Sequence, residues 1–387
     1  MLKPNKPRIL IITPFFFPNI GGVETHLNKL TDFLSSHNFP TTVLTYKPLS
    51  IVVNYLKHEN HPNLTIHRYW WYGLGLFDKT TPYPLFQFLY IVPGLFFNSL
   101  SYCLKQQNKF DVIHAHGFAA AFITRIIKLF LPQKTSVVST HFIYHRLNPN
   151  SIYTKIFKWT FSGFDTILAV SHQSKKELIS IGLPASKIKV FRYWINQKEF
   201  VPKNKTTARR LLNIPQKSLV FFYFGRFVKT KGIFNLLKVA QKLPQNVLFL
   251  LAGDGPDAKT LITQSLSVSN FKILGRLNHP QIINYLAASD FVILPNLVEE
   301  AFPNQIIEGL SCGRPVITGN KGSVTEMYND KIGISLNPTV KNLQKTIKWL
   351  INHPNQIKTM SKTTKAFAIE HFSDKNAKVI INSYNRD

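Results

Sequence analysis

Residues 299–327 read EEAFPNQIIEGLSCGRPVITGNKGSVTEM, and this stretch decides the fold of the C-terminal half. A helical pattern, residues 305–312, lies between two short apolar runs, FVIL and VIT. This order predicts two parallel strands joined by a crossover helix. Glu300 falls in the loop before the helix, and Glu308 falls within the helix. Each carboxylate can accept hydrogen bonds from vicinal hydroxyl groups, although a helix cap and a surface charge would explain the pair alone equally well.

Apolar runs and helical patterns alternate in the same way in both halves of the chain. The predicted strands are residues 9–13, 42–45, 112–116, 136–139 and 166–169 in the first half, and 219–224, 247–252, 271–274, 291–294 and 316–318 in the second. The 387 residues are enough for two hydrophobic cores. We therefore predict an α/β protein with two doubly wound, Rossmann-like domains.

The domain boundary is expected in residues 200–215, a stretch rich in Lys, Thr and Asn that precedes a new strand. We predict an N-terminal domain over residues 1–200 and a C-terminal domain over residues 201–365. A C-terminal helix, about residues 366–387, is expected to pack back on the N-terminal domain. Ligands of open α/β sheets bind at the carboxyl ends of the strands, so we expect an active site between two facing domains.

Three glycine-containing segments follow predicted strands and are candidates for binding a phosphorylated ligand. In GRFVKTKG, which begins at Gly225, Arg226 and Lys231 flank the start of a helix, so that both cations and the helix dipole can act on one diphosphate. Gly22 in GGVETH and Gly253 in LAGDGP allow the backbone to approach a ligand closely. A solvated basic loop and ordinary turns are the alternative interpretations.

Together these segments resemble the retaining GT-B glycosyltransferases, the family of sucrose synthase, glycogen synthase and the bacterial phosphatidylinositol mannosyltransferases. The hallmark of that family is a glutamate, seven residues and a second glutamate, here Glu300 and Glu308. The resemblance covers nearly the whole chain through GGVETH, DVIHAHG, THF, AVSHQSKKEL, GRFVKTKG, LAGDGP and residues 299–327. It implies a GT-B fold and transfer of a sugar from a nucleoside diphosphate sugar to an acceptor hydroxyl, with retained stereochemistry.

The resemblance also implies roles for single residues. Arg226 and Lys231 would hold the donor diphosphate, and Glu308 would bind the ribose hydroxyl groups. Glu300 and the backbone of Phe302, Pro303 and Asn304 would hold the donor sugar. The glycines Gly225 and Gly253 would line the donor site, and His141 and Gly22 would reach it from the acceptor-binding N-terminal domain. His141, as one of 13 histidines, also fits a structural role. The resemblance implies no metal and no other cofactor, because cations and a helix end replace a divalent ion.

The sequence departs from the family pattern at three places. Residues 192–196 read RYWIN where the family commonly has P-N-G-V-D, Gly309 replaces the usual alanine after the second glutamate, and Ser323 replaces the second glycine of a pair. The first departure leaves the geometry of the turn between the domains open. The other two are small changes close to the donor site and do not indicate an inactive protein.

The chain carries a net charge of +28, which calls for an anionic partner or surface. Residues 1–200 hold 22 basic and 8 acidic side chains and the remainder hold 25 and 11, so each half carries +14. The two cysteines give no disulfide framework and no metal-site spacing, which favours the cytoplasm. The first apolar run, near Ile9, is interrupted by prolines and is predicted to be a strand rather than a signal sequence.

Residues 80–104 contain no charged side chain. The segment is long enough to span a bilayer. Several prolines and polar residues argue against a transmembrane helix. A buried or half-buried pair of helices is one interpretation, and an apolar patch lying in the membrane interface is another. Together with the basic charge, the second interpretation predicts a peripheral protein at the inner face of the cell membrane.

The acceptor is the part of the function that the sequence specifies least. PNIGGVETH resembles the start of enzymes that add N-acetylglucosamine or mannose to phosphatidylinositol, which suggests a lipid-linked or cell-envelope glycan acceptor. A soluble or polymeric acceptor is an alternative. A non-enzymatic nucleic-acid-binding protein would explain the charge but leaves residues 299–327 unexplained, and a specific nucleic-acid partner is not expected. A sugar-nucleotide epimerase is disfavoured by the family motifs.

Overall fold

The computed structural model describes residues 6–19, 21–49, 51, 53–73, 76, 80, 83–141 and 151–385. The chain forms two compact units. Unit 1 comprises residues 1–193 and 374–387, and unit 2 comprises residues 194–373. The chain therefore passes from unit 1 to unit 2 seven residues before the predicted boundary and returns at Asp374. Each unit is an α/β layer structure with a largely parallel sheet, so the predicted fold class is confirmed.

Unit 1 contains an eight-stranded sheet in the order β3-β4-β2-β1-β5-β6-β7-β8. The strands are β1 (Ile9–Ile12), β2 (Thr41–Tyr46), β3 (His58–His61), β4 (Leu64–Tyr69), β5 (Val112–His116), β6 (Thr135–Thr140), β7 (Thr166–Ala169) and β8 (Ile188–Val190). All neighbours pair in parallel except β3, which is antiparallel to β4. Strand β1 is buried along its whole length, as expected for a central parallel strand.

In the described part of unit 1, the helices that connect these strands are α1 (Gly22–Ser36), α2 (Pro84–Lys105), α3 (Gly117–Phe130), α4 (Ile152–Ser162) and α5 (His172–Ser180). Side chains from α2, α3 and α4 share one hydrophobic core with the sheet, including Leu95, Ile123 and Phe161. The core forms because each helix places apolar residues three and four positions apart on the face that meets the strands.

Unit 2 contains a six-stranded, fully parallel sheet in the order β11-β10-β9-β12-β13-β14. Its strands are β9 (Leu219–Phe224), β10 (Val247–Ala252), β11 (Phe271–Gly275), β12 (Phe291–Leu294), β13 (Val316–Gly319) and β14 (Gly333–Leu336). Its helices are α6 (Lys205–Leu211), α7 (Ile233–Ala240), α8 (Ala258–Ser265), α9 (His279–Ala288), α10 (Asn304–Ser311), α11 (Val340–Asn352) and α12 (Pro354–His371). The last helix of the chain, α13 (Ala377–Asn382), belongs to unit 1.

Within the segment of residues 80–104, residues 84–104 all belong to the single helix α2 (Pro84–Lys105), so the predicted pair of helices is wrong for them. Residues 81 and 82 lie outside the described residues. Pro93 lies inside α2 without ending it. A Cβ on the adjacent Gly94 would lie 2.2 Å from Cζ3 of Trp71, so the glycine lets the indole pack directly against the helix backbone. This packing favours a continuous helix over a break.

Candidate active site

The strand order places a switch point in each sheet. In unit 2 the chain runs from β9 to β10 on one side and later to β12 on the other. The loops that follow β9 and β12 therefore diverge at the carboxyl end of the sheet and leave space for a ligand. These two loops contain the predicted residues Arg226, Lys231 and Glu300. In unit 1 the corresponding switch point lies between β1 and β5.

The ends of β9 and β10 approach each other so closely that only glycine fits. The Gly225 N–H donates to the carbonyl of Ala252 at 3.0 Å, and the Gly253 N–H donates to the carbonyl of Gly275 at 2.7 Å. A Cβ at Gly253 would lie 1.8 Å from the carbonyl oxygen of Gly225. Both Gly225 and Gly253 also have positive φ. The absence of a side chain at Gly253 therefore allows the two strand ends to pack closely, independently of any ligand.

Arg226 comes after Gly225 in the loop that follows β9 and has an exposed side chain. Its carbonyl accepts a hydrogen bond of 2.9 Å from the hydroxyl of Tyr223. In the described part of the chain, no acidic side chain lies within ion-pair distance of Arg226. Burial, and secondarily the charge of Glu300, raises the pKa of the Tyr223 phenol, so that Tyr223 stays a neutral donor that holds the loop.

Lys231 ends a short 3-10 turn, Lys229–Lys231, just before α7. Gly232 follows with φ +74°, and a Cβ there would lie 2.1 Å from the carbonyl oxygen of Pro295. The Leu297 N–H donates to the carbonyl of Thr230 at 2.8 Å. These contacts fasten the loop after β9 to the loop after β12 and bring Lys231 against Glu300.

Lys231 and Glu300 form an ion pair in which Nζ of the lysine donates to Oε1 of the glutamate. Both side chains are mostly buried, with exposed fractions of 22% and 16%. The backbone of Glu300 is fixed as well, because its carbonyl accepts from the N–H of Ser323 at 3.0 Å. Gly322 has φ +77°, and a Cβ there would lie 2.6 Å from that carbonyl. The sequence therefore has serine in place of the second glycine of the family pair but keeps Gly322, the glycine that this contact requires.

Helix α10 begins at Asn304, directly after Phe302 and Pro303. Pro303 is the N-cap residue and offers no side-chain hydrogen bond to the first helical N–H groups. The start of α10 therefore presents a positive helix end beside the Glu300 loop. Phe302 is buried and its ring lies 6.1 Å from that of Phe372. Phe302 thus anchors the start of the helix by packing.

Glu308 lies in the second turn of α10 and is half-buried. Its charge, after the larger effect of burial, helps to raise the pKa of Cys312 to about 12. The next residue, Gly309, faces β12, because a Cβ there would lie 2.6 Å from Cγ2 of Val292. The usual alanine at this position would clash, so the departure at Gly309 allows α10 to pack closer to the sheet.

In unit 1, His141 directly follows β6 at the carboxyl end of the sheet and belongs to a buried cluster with His26, His114 and His116. The His141 and His116 rings are nearly parallel, with centroids 5.4 Å apart, and His26 stacks on Tyr193 at 4.4 Å. Burial lowers the pKa values of all four histidines, to about 3 for His114 and His141. The cluster is therefore uncharged at neutral pH.

Both ring nitrogens of His141 are engaged within unit 1. Nδ1 lies 2.7 Å from the hydroxyl of Tyr193, and Nε2 lies 3.2 Å from Nδ1 of His116. The role implied for His141 at the donor sugar stays a prediction. Sequence reasoning missed Tyr193, whose only signal was its place in the departing RYWIN segment. Residue 142 of the THF motif lies outside the described residues.

Gly22 is the first residue of α1 and is exposed. The preceding Gly21 is the N-cap, and a Cβ there would lie 2.1 Å from Oε2 of Glu24. The Glu24 side chain thus folds back over the helix start, where burial raises the pKa of its carboxyl group. The structure places Gly22 and His141 in unit 1 and all other predicted site residues in unit 2.

Two protein-family models match successive parts of the chain. Residues 20–198 match Glycosyltransferase Family 4, and residues 204–367 match Glycosyl transferases group 1. The chain belongs to the glycosyltransferases of GT-B fold. This glycosyltransferase is 24% identical over 365 residues to one chain of the phosphatidylinositol N-acetylglucosaminyltransferase of Arabidopsis thaliana, and the match covers 91% of this chain and 76% of the relative.

Superposition on solved structures supports the GT-B fold. Sucrose-phosphate synthase from Thermosynechococcus elongatus superposes with a TM-score of 0.80 at 18% identity, covering 98% of each chain. Anabaena HepE in complex with UDP-glucose superposes with a TM-score of 0.76 at 18% identity, covering 97% of this chain and 98% of HepE.

Unit 1 of the glycosyltransferase exposes two apolar stripes. Helix α2 buries one side and exposes the other, and it is the one described helix long and apolar enough to cross a membrane by length and composition. Helix α4 exposes apolar and aromatic side chains with Lys155 and Lys158 between them. The exposed members are Leu85, Phe86, Leu89, Phe97 and Leu104 on α2, and Ile152, Tyr153, Ile156 and Trp159 on α4. The stripe on α4 is not apparent from the sequence, because lysines interrupt its apolar pattern.

The described residues of the glycosyltransferase contain no group of three or more His, Cys, Asp or Glu side chains placed to hold a metal ion. Cys103 and Cys312 are both buried free thiols, and burial raises the pKa of each to about 12. Both are therefore poor nucleophiles at neutral pH.

Proposed function

We propose that this protein transfers a sugar from a nucleoside diphosphate sugar to a lipid-linked hydroxyl acceptor, with retention of stereochemistry and without a metal ion. The donor binds at the carboxyl end of the unit 2 sheet, and unit 1 binds the acceptor. The observation that carries the proposal is the Lys231–Glu300 ion pair, held at the switch point between β9 and β12 by contacts that only glycine permits.

The donor diphosphate is bound by cations and by a helix end in this proposal. Arg226 is exposed and carries no acidic partner in the described chain, and Lys231 lies in the same loop, just before α7. Two fixed positive charges stabilise the negative charge that develops on the leaving diphosphate oxygen. They supply what a divalent ion supplies in other transferases, which supports a metal-independent reaction.

The two glutamates have different ligands in this proposal. Glu308, on α10, binds the ribose hydroxyl groups, and Glu300 binds the hydroxyl groups of the transferred sugar together with the backbone of residues 302–304. The position of Glu300 beside Lys231 supports this division, because the sugar is bonded directly to the diphosphate. Attack of the acceptor on the same face from which the diphosphate leaves gives retention, and this step follows from the family resemblance.

The comparisons favour a particular donor and acceptor class. HepE was crystallised with UDP-glucose, which supports a UDP-sugar donor. The Arabidopsis relative is part of a phosphatidylinositol N-acetylglucosaminyltransferase, which supports a phospholipid headgroup as the acceptor. The exposed stripes on α2 and α4 and the net charge of +28 fit an anionic membrane surface, where such an acceptor lies.

A thermal-shift screen with UDP, GDP, ADP and their sugar conjugates tests the donor. We expect UDP and UDP-sugars to raise the melting temperature in the presence of EDTA, because a ligand that binds only the folded state stabilises it. The transfer reaction is then measured with the stabilising UDP-sugar and vesicles that contain phosphatidylinositol. If none of the nucleotides changes the melting temperature, the proposed donor site is contradicted. If nucleotides stabilise the protein only when a divalent ion is present, metal independence is contradicted.

A further inference from the structure

Three buried side chains of unit 1, those of Tyr193, His141 and His116, are joined by hydrogen bonds. The Tyr193 hydroxyl lies 2.7 Å from Nδ1 of His141, and Nε2 of His141 lies 3.2 Å from Nδ1 of His116. The two imidazole planes differ by only 11° and their ring centroids lie 5.4 Å apart, so the rings are nearly parallel. All three residues are less than 10% exposed.

Both histidines are neutral at neutral pH. Burial lowers the pKa of His141 to about 3 and that of His116 well below its usual value. A neutral imidazole carries a hydrogen on one nitrogen and a lone pair on the other. The direction of the first hydrogen bond therefore determines the tautomer of both rings.

Tyr193 is the donor in the first hydrogen bond. A phenol O–H is a better donor than an imidazole N–H, and an imidazole nitrogen is a better acceptor than a phenol oxygen. The distance of 2.7 Å is typical of an O–H donor and short for an N–H donor. His141 therefore carries its hydrogen on Nε2 and donates to Nδ1 of His116. His116 in turn carries its hydrogen on Nε2.

We infer that Tyr193 is a positioning residue, which fixes His116 as an N–H donor to an oxygen of the substrate. Nε2 of His116 is buried and has no hydrogen-bond partner among the described residues. His116 ends β5 at the unit 1 switch point and is the N-cap of α3. A Cβ built on Gly117 would meet no heavy atom of the described residues within 4 Å, so the backbone next to His116 borders open space.

Tyr193 belongs to RYWIN, the segment that departs from the P-N-G-V-D common in the family. The positioning role is therefore a property of this chain. Its effect on the reaction rests on the proposed glycosyl transfer. The tautomer assignment depends only on the hydrogen bonds and is tested separately.

A second tyrosine provides a matched control. The Tyr384 hydroxyl lies 2.9 Å from Nδ1 of His114, whose Nε2 lies 2.8 Å from Oγ of Ser139. Tyr384 and Tyr193 are both buried and both contact Nδ1 of a neutral histidine. Only Tyr193 is joined to His116 through a hydrogen-bonded chain.

The test combines long-range ¹H–¹⁵N correlation spectra of the histidine-labelled full chain with steady-state kinetics at pH 7.5. Signals are assigned by single histidine-to-glutamine variants. We expect the hydrogen on Nε2 in both His116 and His141 of the wild type. Tyr193→Phe, which keeps the ring stacked on His26, should redistribute these tautomers and lower kcat about tenfold with little change in donor KM. Tyr384→Phe should change the His114 signals and leave the His116 tautomer intact.

A hydrogen on Nδ1 of His116 in the wild type would overturn the inference, and so would unchanged His116 signals in Tyr193→Phe. If the tautomers redistribute while kcat stays at the wild-type value, the positioning role is overturned, even though the hydrogen-bond directions hold. Because the spectra need no substrate, failure of the inference can be distinguished from failure of the proposed transfer reaction.

Discussion

Lys231 donates to Oε1 of Glu300, so the lysine proposed for the donor diphosphate neutralises the glutamate proposed for the donor sugar. Each side chain is mostly removed from solvent, and removal of either one leaves a partly buried charge without its partner. The donor carries a diphosphate for the lysine and hydroxyl groups for the carboxylate. The ion pair therefore holds the Lys231 ammonium and the Glu300 carboxylate in place until a donor binds. The diphosphate of the donor then contacts the lysine, and its hydroxyl groups contact the carboxylate.

The cations of the loop after β9 are expected to act mainly in the transition state. Alanine at Arg226 or Lys231 should lower kcat about 100-fold or more, the size of effect seen on loss of a strong electrostatic stabiliser. Lys229→Ala is the matched control, because Lys229 lies exposed in the same 3-10 turn, and it should keep near wild-type turnover. Near-normal kcat in both Arg226→Ala and Lys231→Ala would refute the assignment.

Membrane binding should depend on both exposed stripes of unit 1. Sedimentation with vesicles containing about one third anionic lipid should show strong binding at low salt, weakened but not abolished at high salt. Phe86→Ser with Phe97→Ser on α2, or Ile156→Ser with Trp159→Ser on α4, should weaken binding about tenfold or more, since each buried apolar side chain contributes about 1.5–3 kcal/mol.

The control for this measurement is Leu266→Ser, because Leu266 is an exposed leucine of unit 2, outside both stripes. It should bind vesicles like the wild type. If the wild-type protein does not bind anionic vesicles at low salt, the membrane surface is ruled out as a partner.

Acidification should destabilise unit 1 between about pH 6.5 and pH 5. The four clustered histidines have lowered pKa values in the folded protein, so the unfolded chain binds more protons as the pH falls below the ordinary value of about 6.5. Each such histidine lowers the free energy of unfolding by about 1.4 kcal/mol for each pH unit of acidification in that range. Glu24, whose pKa is raised by burial, acts in the opposite direction but is a single group.

Urea unfolding at pH 7.5, 6.5 and 5.5, followed by a probe in unit 1, measures this dependence. Stability should be greatest at pH 7.5 and decrease at each step. A free energy of unfolding that is constant or increases on acidification would show that the cluster is not held neutral.

The close packing of α10 on β12 predicts a coupled pair of substitutions. Gly309→Ala should destabilise unit 2 by about 1–3 kcal/mol through overpacking against Val292, despite the higher helix propensity of alanine. In a Val292→Ala background the same substitution should be neutral or stabilising by up to about 1 kcal/mol. Additive effects in this double-mutant cycle would contradict the close contact.

The sequence predicts the strands of the fold well and the side-chain contacts of the site poorly. Strands such as β9 and β10 are buried on both faces, so each appears as a continuous apolar run that follows polar residues and ends at a glycine. Strand β3 reads HENH and lies at the sheet edge, where exposed polar side chains give no apolar pattern. Edge strand β14 is short and partly exposed, and it was missed for the same reason.

For the site, the loop positions of Arg226, Lys231 and Glu300 and the helical position of Glu308 follow from the order of strands and helices. The pairing of Lys231 with Glu300 joins residues 69 positions apart and depends on how two loops pack, which periodicity does not encode. The link of Tyr193 to His141 spans 52 residues and has the same origin.

The most direct test of the account is calorimetric titration of the nucleoside diphosphate into Glu300→Ala and Glu308→Ala, with steady-state rates measured alongside. Glu308→Ala should weaken nucleotide binding and raise donor KM with little effect on kcat, because ribose contacts change little between the ground and transition states. Glu300→Ala should lower kcat and leave nucleotide affinity nearly intact, because its ligand is the sugar. If Glu300→Ala abolishes nucleotide binding while Glu308→Ala leaves it untouched, the two roles are reversed and the proposed placement of the donor is wrong.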